Sequence, residues 1–360
     1  MFDIRIFHRE ARTLAQAGHE VVLIAPGDGA SRVVGGVRCI AVPRARGRRE
    51  RMLRTPIEIY RAARAVKADV YHLHDPELLP IGILLKAQGN QVVYDVHEDY
   101  PADVRHKLWL NARARPLVAM AVRLLEIFAS WRLDAVVAAT PPIARRFPSS
   151  KTSVVQNFPD IAETSLAPTR PYEQRPESFV YVGGISEMRG IREVVTAMGL
   201  LRATSSARLL LAGDFHPPGL RVDLSALPGW ERVDVLGWLS REEVSSLLGD
   251  ARAGIVSLHP MPNHIESYPI KLFEYMQWGL PIIASNFPLW KRLVADTGCG
   301  LLVDPLNPSE VGAAMQWILE HPGEAAEMGA QGRKTAQKFY SWQREGAKLI
   351  GLYERLAAAG

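Results

Sequence analysis

Short apolar runs alternate with longer amphipathic segments through the whole chain, and this alternation limits the folds that it can adopt. In the first half, the apolar runs predict strands at residues 20–25, 37–42, 69–73, 91–96, 135–139 and 153–155. In the second half, they predict strands at residues 179–182, 208–212, 233–236, 253–257, 281–284 and 298–303. Strands separated by helices form parallel sheets that helices cover on both faces. The sequence therefore predicts an α/β fold.

Length and local composition predict two domains joined by a linker. The chain has 360 residues, which exceeds one average domain. Residues 161–178 are rich in Pro, Glu and Thr, as linkers often are. We therefore expect an N-terminal domain over residues 1–160 and a C-terminal domain over residues 179–340. The chain opens on a predicted helix over residues 5–18, so the strand that normally begins an α/β unit is missing from the predicted order.

The composition is that of a globular protein in a reducing compartment. Apolar residues make up 48% of the chain and charged residues 22%. Cys39 and Cys299 provide neither a disulfide framework nor a metal-binding spacing. The sequence shows no signal peptide and no apolar run of the roughly 20 residues that span a bilayer. These features predict a cytoplasmic protein.

Positive charge is concentrated in the first half. Residues 1–165 hold 24 Lys and Arg against 17 Asp and Glu, whereas the remainder carries a small negative net charge. Much of the excess is an arginine cluster ahead of a helix predicted over residues 56–67: Arg44, Arg46, Arg48, Arg49, Arg51 and Arg54. Such a cluster suits anionic lipid headgroups, or it is a solvated loop and helix start. Nucleic acid is the weakest interpretation, because no aromatic residues or binding motif accompany the cluster.

Residues 102–133 are predicted to be helical and combine large apolar side chains with arginines. The apolar members are Trp109, Leu110, Leu117, Leu124, Leu125, Phe128 and Trp131. This pattern is typical of a helix that lies in a membrane interface. A buried pair of helices with a basic outer face explains it equally well.

Polar side chains follow two predicted strands of the first half. His74 and Asp75 come at the end of one strand, and residues 97–99 (His, Glu, Asp) come at the end of the next. The carboxyl ends of parallel strands share the edge where open α/β sheets bind ligands. We predict a polar wall of a binding cleft. A metal site that includes His72 and His74 is a weaker alternative, because no helix or turn fixes a third ligand.

A glycine-rich turn follows the first predicted strand of the second half. Gly183 and Gly184 come directly after that strand, and Arg189 precedes the helix predicted over residues 191–201. Glycine lets a backbone approach a phosphate, and arginine can bind two of its oxygens. The turn therefore predicts a phosphate-binding loop. Its spacing is neither the dinucleotide-binding pattern nor the P-loop, which argues against a nicotinamide enzyme or an ATPase.

Residues 263–285 combine a predicted helix with three charged side chains. Pro269 suits the first helical turn, so the helix is predicted to start one residue before it. Lys271 and the free N–H groups of the first turn favour an anion, and Glu266 and Glu274 can accept hydrogen bonds from hydroxyl groups. These features indicate a ligand with phosphates and hydroxyls, such as a sugar nucleotide. An amphipathic helix with an exposed Lys271–Glu274 pair is the alternative.

Taken in order, these segments resemble glycosyltransferase family 4. The spacing of Glu266 and Glu274, with the segment EYMQWGLPIIAS, resembles the donor-site signature of that family. GGISEMRG, VLGWLS, GCGLLVDPLNPSE and FYSWQREGAKLIGLYERL match the order of its other motifs. In the front half, DIRIFHREARTLAQAGHEVVLIAP, YHLHDPELLP and VVYDVHEDYP resemble its acceptor-side domain. The resemblance implies the GT-B fold, with two Rossmann-like domains facing across a cleft and residues 341–360 crossing back to the N-terminal domain.

The resemblance also implies a function and a set of site residues. It implies a retaining transfer of sugar from a nucleotide-diphosphate sugar to a glycan or lipid-linked acceptor, as in bacterial surface-polysaccharide assembly, with no metal or other cofactor. The protein would be cytoplasmic and peripheral on the inner face of the plasma membrane, against an anionic lipid surface, with no nucleic acid bound. The implied catalytic residues are Glu266, His97 and Lys271. The implied donor-binding residues are Gly183, Gly184, Arg189, Gly237, Tyr268, Ile270, Lys271, Leu272 and Glu274, and the implied acceptor-binding residues are His74, Asp75, Glu98 and Asp99.

Two departures from the family pattern keep other interpretations open. Gly184 and Ile185 hold the place where the family usually has an arginine, which raises the importance of Arg189 and Lys271. The predicted order also lacks the first strand and its glycine-rich loop. The alternatives are a catalytically impaired sugar-nucleotide-binding or membrane-partner protein, and a GT-B epimerase or hydrolase.

Overall fold

The computed structural model describes residues 2–29, 31–107, 110–161 and 170–359. The chain divides into two units. The first contains Met1–Asn157 together with Trp342–Gly360, and the second contains Phe158–Ser341. Each unit has its own parallel sheet and its own apolar core. No helix in these ranges is long and apolar enough to cross a membrane.

The strands of the first unit form two sheets. These strands are β1 (Val21–Pro26), β2 (Arg32–Val34), β3 (Val37–Val42), β4 (Val70–Leu73), β5 (Gln91–Val96), β6 (Ala135–Ala138) and β7 (Thr152–Val154). The smaller sheet has the order β1-β3-β2, with β2 antiparallel, and the larger sheet has the order β4-β5-β6-β7, all parallel. Within the described residues no hydrogen-bonded ladder joins β1 to β4.

The helices of the first unit cover both faces of the larger sheet. A π-helix (Ile4–Ala11) precedes α1 (Arg12–Gln16), and α2 (Arg48–Val66), α3 (Leu79–Ala87), α4 (Tyr100–His106), α5 (Arg115–Arg132), α6 (Pro141–Ala144) and α15 (Trp342–Ala359) follow. Alternate residues of β5 point to opposite sides: Val92 and Tyr94 pack in a cluster with α3 and α5, and Val93 packs in a cluster with α15. This two-sided burial explains why β5 and β6 are largely apolar.

The arginine cluster is mostly helical, which corrects the predicted loop. Helix α2 begins at Arg48, eight residues before the predicted start, and Pro56 lies inside it. Proline lacks one backbone N–H, but the residues before it are good helix formers. Glu50 and Arg54 also form an i, i+4 ion pair at 3.0 Å. These local preferences carry the helix through the proline.

The second unit has one six-stranded parallel sheet. Its strands are β8 (Ser178–Val182), β9 (Arg208–Ala212), β10 (Val233–Gly237), β11 (Ala253–Val256), β12 (Ile282–Ser285) and β13 (Gly300–Val303), in the order β10-β9-β8-β11-β12-β13. Its helices are α7 (Ile191–Leu200), α8 (Leu220–Ser225), α9 (Arg241–Asp250), α10 (Pro262–Ile265), α11 (Ile270–Gln277), α12 (Pro288–Thr297), α13 (Pro308–Glu320) and α14 (Pro322–Phe339). Phe179 and Tyr181 face α7 and α13, whereas Val180 faces α11 and α12.

The unit boundary lies at Asn157, three residues before the end of the predicted N-terminal domain. Most of the predicted linker, residues 162–169, lies outside the described residues. The rest of it belongs to the second unit: Tyr172 is buried and donates to the carbonyl of Arg252 at 2.7 Å, and Ser178 begins β8. The last helix, α15, packs in the first unit through Leu349 and other apolar residues.

Candidate functional site

Three neighbouring strands of the second unit end in glycines. Gly183 follows β8, Gly213 follows β9, and Gly237 ends β10; all three have positive φ. The Gly183 N–H donates to Ala212 O and the Gly213 N–H to Gly237 O, each at 2.7 Å. A Cβ at Gly213 would lie 2.1 Å from the carbonyl oxygen of Gly183. Only glycine fits there, so the backbones of these turns pack closely together at the carboxyl edge of the sheet.

The strand order of this sheet reverses beside β8. Strands β9 and β10 lie on one side of it, and β11 to β13 lie on the other. Open α/β sheets bind ligands at the carboxyl edge where the order reverses. The loop after β8 folds over β11, since a Cβ at Gly190 would lie 1.9 Å from the carbonyl oxygen of Ser257. The predicted phosphate-binding loop therefore lies at the reversal point.

Helix α11 is fixed against the sheet by Tyr275. A Cβ at Gly254 of β11 would lie 2.1 Å from the Tyr275 ring, and the Tyr275 hydroxyl accepts from the Val182 N–H at 3.1 Å. The helix begins at Ile270, two residues later than predicted, because the backbone of Pro269 is extended with ψ of 139°. Anchored in this way, α11 presents its first turn to the loop after β8.

The ammonium group of Lys271 lies against the glycine loop. Its Nζ donates to Tyr181 Oη at 2.9 Å, and a Cβ at Gly183 would lie 2.8 Å from Nζ. Burial, followed by the positive charge of Arg189, lowers the pKa of Lys271 to about 7, while Glu274 opposes this change. Lys271 is therefore not the exposed partner of Glu274 that the alternative interpretation requires. Two cations and a glycine backbone converge here, as an anion site requires.

The other predicted donor residues divide between exposed and packed positions. Glu266 is exposed between α10 and α11, and Ile270 is half-buried at the helix start. Tyr268 donates to the carbonyl of Leu289 at 3.1 Å, and its ring packs near a buried phenylalanine. The Leu272 side chain is fully buried, and its N–H donates to Pro269 O. Tyr268 and Leu272 thus hold the helix start in place.

The first unit has a buried ion-pair network at the carboxyl ends of β4 and β5. Arg5 donates to both carboxylate oxygens of Asp95, at 2.9 and 3.0 Å, and its Nε lies 3.0 Å from Glu10. Although burial opposes ionisation, Arg5 holds the pKa of Asp95 well below its usual range. Ligand atoms of Glu10, His72, His74 and Asp95 lie within 4.8 Å of one another. A cation there would contact the guanidinium of Arg5, so these residues fit an ion-pair network better than a metal.

The predicted acceptor residues lie around this network. His97 Nε2 is 3.1 Å from Tyr100 Oη, and burial lowers the pKa of His97, so that its ring is neutral at pH 7. Burial raises the pKa of Asp75, which lies close enough to His97 and His74 to interact with both. Glu98 and Asp99 are exposed, and Asp99 caps α4 through the Ala102 N–H. The structure therefore brings His74, Asp75 and His97 together, whereas Asp99 has a capping role.

Comparison with known proteins identifies the family. Residues 5–163 match the model described as Glycosyltransferase Family 4, and residues 167–335 match the model described as Glycosyl transferases group 1. Together the two matches cover almost the whole chain. The chain is a family 4 glycosyltransferase. Over 318 residues it is 26% identical to the MMP alpha-(1->4)-mannosyltransferase of Mycolicibacterium hassiacum, covering 83% of this chain and 74% of that protein.

Solved structures show that this glycosyltransferase has the GT-B fold. Sucrose-phosphate synthase from Thermosynechococcus elongatus is 22% identical, with a TM-score of 0.76 over 97% of this chain and 92% of that one. Anabaena HepE in complex with UDP and glucose is 14% identical, with a TM-score of 0.69 over 96% of this chain and 94% of that one. At these identities the likeness concerns the fold. It confirms the prediction of two Rossmann-like domains.

The structure brings to the candidate site further residues that the sequence did not single out. Tyr181 orients Lys271, and its own hydroxyl donates to a loop carbonyl at 2.8 Å. In the segment that follows β11, His259 Nε2 lies 3.1 Å from a carboxylate oxygen of Glu193. The Nδ1 atom of His264 lies 2.9 Å from the carbonyl oxygen of His259. In the sequence, only the position of His259 could have indicated this group, because that residue follows the carboxyl end of a predicted strand.

The pKa of Lys271 predicts proton uptake when the glycosyltransferase binds a nucleoside diphosphate. At pH 8 the free side chain is mostly neutral because its pKa is about 7. A bound diphosphate raises that pKa, so binding takes up most of one proton and weakens as the pH rises above 7. Calorimetry with UDP, GDP and ADP in buffers of different ionisation enthalpy measures this uptake. Lys271→Gln should abolish it, and exposed Lys291→Gln should not; equal uptake by both variants would contradict the assignment.

Proposed function

We propose that this glycosyltransferase binds a nucleotide-diphosphate sugar in its second unit and transfers the sugar to a glycan or lipid-linked acceptor. The observation that carries the proposal is the position of Lys271, held by Tyr181 over the Gly183 backbone at the carboxyl edge of β8. A half-buried cation held against a glycine backbone suits a diphosphate. HepE, which has the same fold, was solved with UDP and glucose.

The main catalytic effect in this proposal is stabilisation of the leaving diphosphate. The bond between the anomeric carbon and the diphosphate breaks, and negative charge grows on the departing oxygen. Lys271, Arg189 and the N–H groups at the start of α11 neutralise this charge. The proposed mechanism therefore needs no metal or cofactor. Glu274 binds the ribose, and the segment near Gly237 borders the base.

We further propose that the transfer retains the configuration of the sugar. The acceptor hydroxyl attacks the face from which the diphosphate leaves, and the leaving phosphate takes the hydroxyl proton. Glu266, exposed in the loop before α11, positions the donor sugar. In the first unit, the neutral ring of His97, which the hydroxyl of Tyr100 orients, is proposed as a further catalytic group. Because the phosphate acts as the base, no protein nucleophile is required.

A panel of radiolabelled UDP, GDP and ADP sugars tests the proposed reaction. Each is incubated with the protein, with and without a membrane extract as the source of acceptors. Transfer of label to extracted glycan or lipid supports the proposal, and the anomeric configuration of the product reports retention. Release of free sugar without acceptor would identify a hydrolase, and binding without turnover would identify a donor-binding protein. Lys271→Ala is the matched control for activity from contaminants.

The surface of the first unit favours a lipid-linked acceptor. Five large apolar side chains form one exposed stripe along α5, and Leu117 and Trp131 at its ends are 74% and 71% exposed: Leu117, Met120, Leu124, Phe128 and Trp131. The buried helix pair considered from the sequence does not explain such exposure. Arg123 and Arg132 are also exposed on this helix, and Met52 and Leu53 are exposed beside the arginines of α2. An apolar stripe flanked by arginines suits an anionic membrane interface.

Charged substitutions on this stripe should release the protein from lipid. We expect Leu117→Asp with Trp131→Asp to weaken binding to phosphatidylglycerol vesicles by about tenfold or more, because both apolar side chains leave the interface. Vesicle sedimentation at several salt concentrations measures the affinity. Val222→Asp, which changes a side chain that is 72% exposed on α8, is the matched control and should bind as the parent does. Unchanged binding of the double variant would exclude α5 as the contact.

A further inference from the structure

The two ring nitrogens of His97 have different surroundings. Nε2 lies 3.1 Å from the hydroxyl oxygen of Tyr100. Nδ1 is buried, and within the described residues no hydrogen-bond partner reaches it. The nearby carboxylate of Asp75 acts on the ring through its charge but forms no hydrogen bond with Nδ1. In a neutral imidazole one nitrogen carries the proton and the other accepts, so the position of the proton decides what Nδ1 can bind.

The hydroxyl group of Tyr100 contacts two other groups but has a single proton. Its oxygen lies 3.1 Å from His97 Nε2 and 3.2 Å from the carbonyl oxygen of His74. A carbonyl oxygen only accepts hydrogen bonds, so the hydroxyl proton is donated to His74. The hydroxyl oxygen then accepts from His97, which places the ring proton on Nε2. Nδ1 is therefore the nitrogen that keeps its lone pair.

The surroundings of His97 disfavour a second proton on the ring. Burial lowers the pKa of His97; the charges of Asp95 and Asp75 oppose this change, and those of His74 and Arg5 support it. A doubly protonated ring would donate from both nitrogens. Because the ring is neutral, Nδ1 remains an acceptor.

Tyr100 is itself fixed, as the first residue of α4, by a series of charged groups. Asp99 caps the helix by accepting from the Ala102 N–H at 3.2 Å. Arg146 donates to Asp99 at 2.9 Å and also donates to Glu126, which is fully buried in α5. Arg146 therefore links the start of α4 to the packed interior of the first unit. This link limits the movement of the Tyr100 hydroxyl relative to the His97 ring.

A buried acceptor at this position suits a ligand that donates a hydrogen bond. Buried polar atoms of proteins are almost always hydrogen-bonded. A sugar hydroxyl group can donate to an unprotonated nitrogen, whereas an ionised phosphate oxygen can only accept. Nδ1 therefore favours a hydroxyl group over a phosphate, and a proton on Nδ1 would reverse that preference.

We propose that Tyr100 is a positioning residue of this glycosyltransferase: it holds the ring proton of His97 on Nε2, so that Nδ1 accepts a hydrogen bond from a non-reacting hydroxyl group of a substrate. The proposal rests on the proposed sugar transfer, which supplies the substrate that bears this hydroxyl. Tyr100 acts only through His97. Loss of its hydroxyl group therefore changes the position of the ring proton as well as the orientation of the ring.

NMR spectroscopy of the protein without substrate tests the position of the proton. Long-range ¹H–¹⁵N spectra of protein labelled with ring-¹⁵N histidine distinguish a protonated ring nitrogen from an unprotonated one. His97→Gln identifies the His97 signals among those of the ten histidines. At pH 8 we expect the proton on Nε2 in the parent and in the control Tyr60→Phe, which removes a hydroxyl of α2 that accepts from Gln88. In Tyr100→Phe we expect a mixture of both tautomers.

A pair of His97 variants tests the use of Nδ1 in the reaction. Asparagine places an amide oxygen near the position of Nδ1, whereas glutamine places its amide group near the position of Nε2 and leaves no acceptor at Nδ1. With the best donor from the labelled panel, we expect Tyr100→Phe to lower kcat/KM about tenfold. We expect His97→Gln to lower kcat/KM at least about tenfold more than His97→Asn does. Tyr60→Phe should keep the parent value.

Several outcomes would overturn this proposal. A proton on Nδ1 in the parent protein would contradict the deduced tautomer, and this spectrum is decisive even if Tyr100→Phe does not fold. An unchanged tautomer in Tyr100→Phe would show that Tyr100 does not fix the proton. Equal kcat/KM values for His97→Gln and His97→Asn would show that Nδ1 does not bind substrate. If the parent transfers no sugar, the proposed function fails, whereas the spectra still decide whether Tyr100 fixes the proton of His97.

Discussion

Lys271→Ala is expected to reduce turnover at saturating donor about a hundredfold, because it removes the half-buried cation that lies against the glycine loop. Loss of one charge-stabilising contact in a transition state typically costs about 3 kcal/mol. Lys271 is held by Tyr181 beside the Gly183 backbone, so its charge is directed to the ligand. Steady-state kinetics with the best donor from the labelled panel measures kcat and KM separately.

Two comparisons make this expectation specific. Lys291→Ala removes an exposed lysine of α12 in the same unit and should leave kcat unchanged. Lys271→Arg restores a positive charge but cannot keep the same contact with Tyr181 beside Gly183, so it should recover only part of the rate. A Lys271→Ala enzyme with the parent kcat and a raised KM would show that this cation binds the donor without stabilising the leaving group.

Asp95→Ala is expected to reduce the free energy of unfolding of the first unit by about 3–5 kcal/mol. The substitution leaves the guanidinium of Arg5 buried without the carboxylate that accepts two of its hydrogen bonds. Arg5 is 4% exposed and cannot reach water without opening the packing of the π-helix on β5. Urea denaturation followed by circular dichroism, with hydrogen exchange to separate the two units, measures the loss.

The control for this prediction is an ion pair on the surface. Glu50 pairs with Arg54 on α2 at 3.0 Å, and Glu50→Ala should leave the free energy of unfolding almost unchanged because both groups stay hydrated. A double variant, Asp95→Ala with Arg5→Met, should recover part of the stability, since it removes the guanidinium that lost its main partner, and burial raises the pKa of the remaining Glu10, which favours its neutral form. Equal destabilisation by Asp95→Ala and Glu50→Ala would show that the network is hydrated rather than buried.

The sequence predicted most of the fold because most strands can be recognised from their local apolar pattern alone. Strands β3, β5 and β9 have the predicted limits, since each is a short and largely apolar run. Helix α13 also has its predicted bounds, with Pro308 in its first turn. Helix α2 was predicted to begin too late, because Pro56 resembles a helix start and only the preceding ion pairs and helix propensity show that the helix continues through it.

The sequence also determined which residues form the candidate phosphate site, whereas the tertiary structure decided what each of them contacts. Gly183 and Arg189 were recognisable from residue type and position after a strand, and Lys271 was recognisable from its position in the first turn of a helix. The contact of Lys271 with Tyr181, the His259–Glu193 pair and the exposed stripe of α5 depend on which faces pack together. Strand pairing, which in the described residues forms no ladder between β1 and β4, also depends on distant segments. Residue type and periodicity are local properties of a chain, but pairing, burial and the pKa changes that follow from burial arise only when distant segments meet.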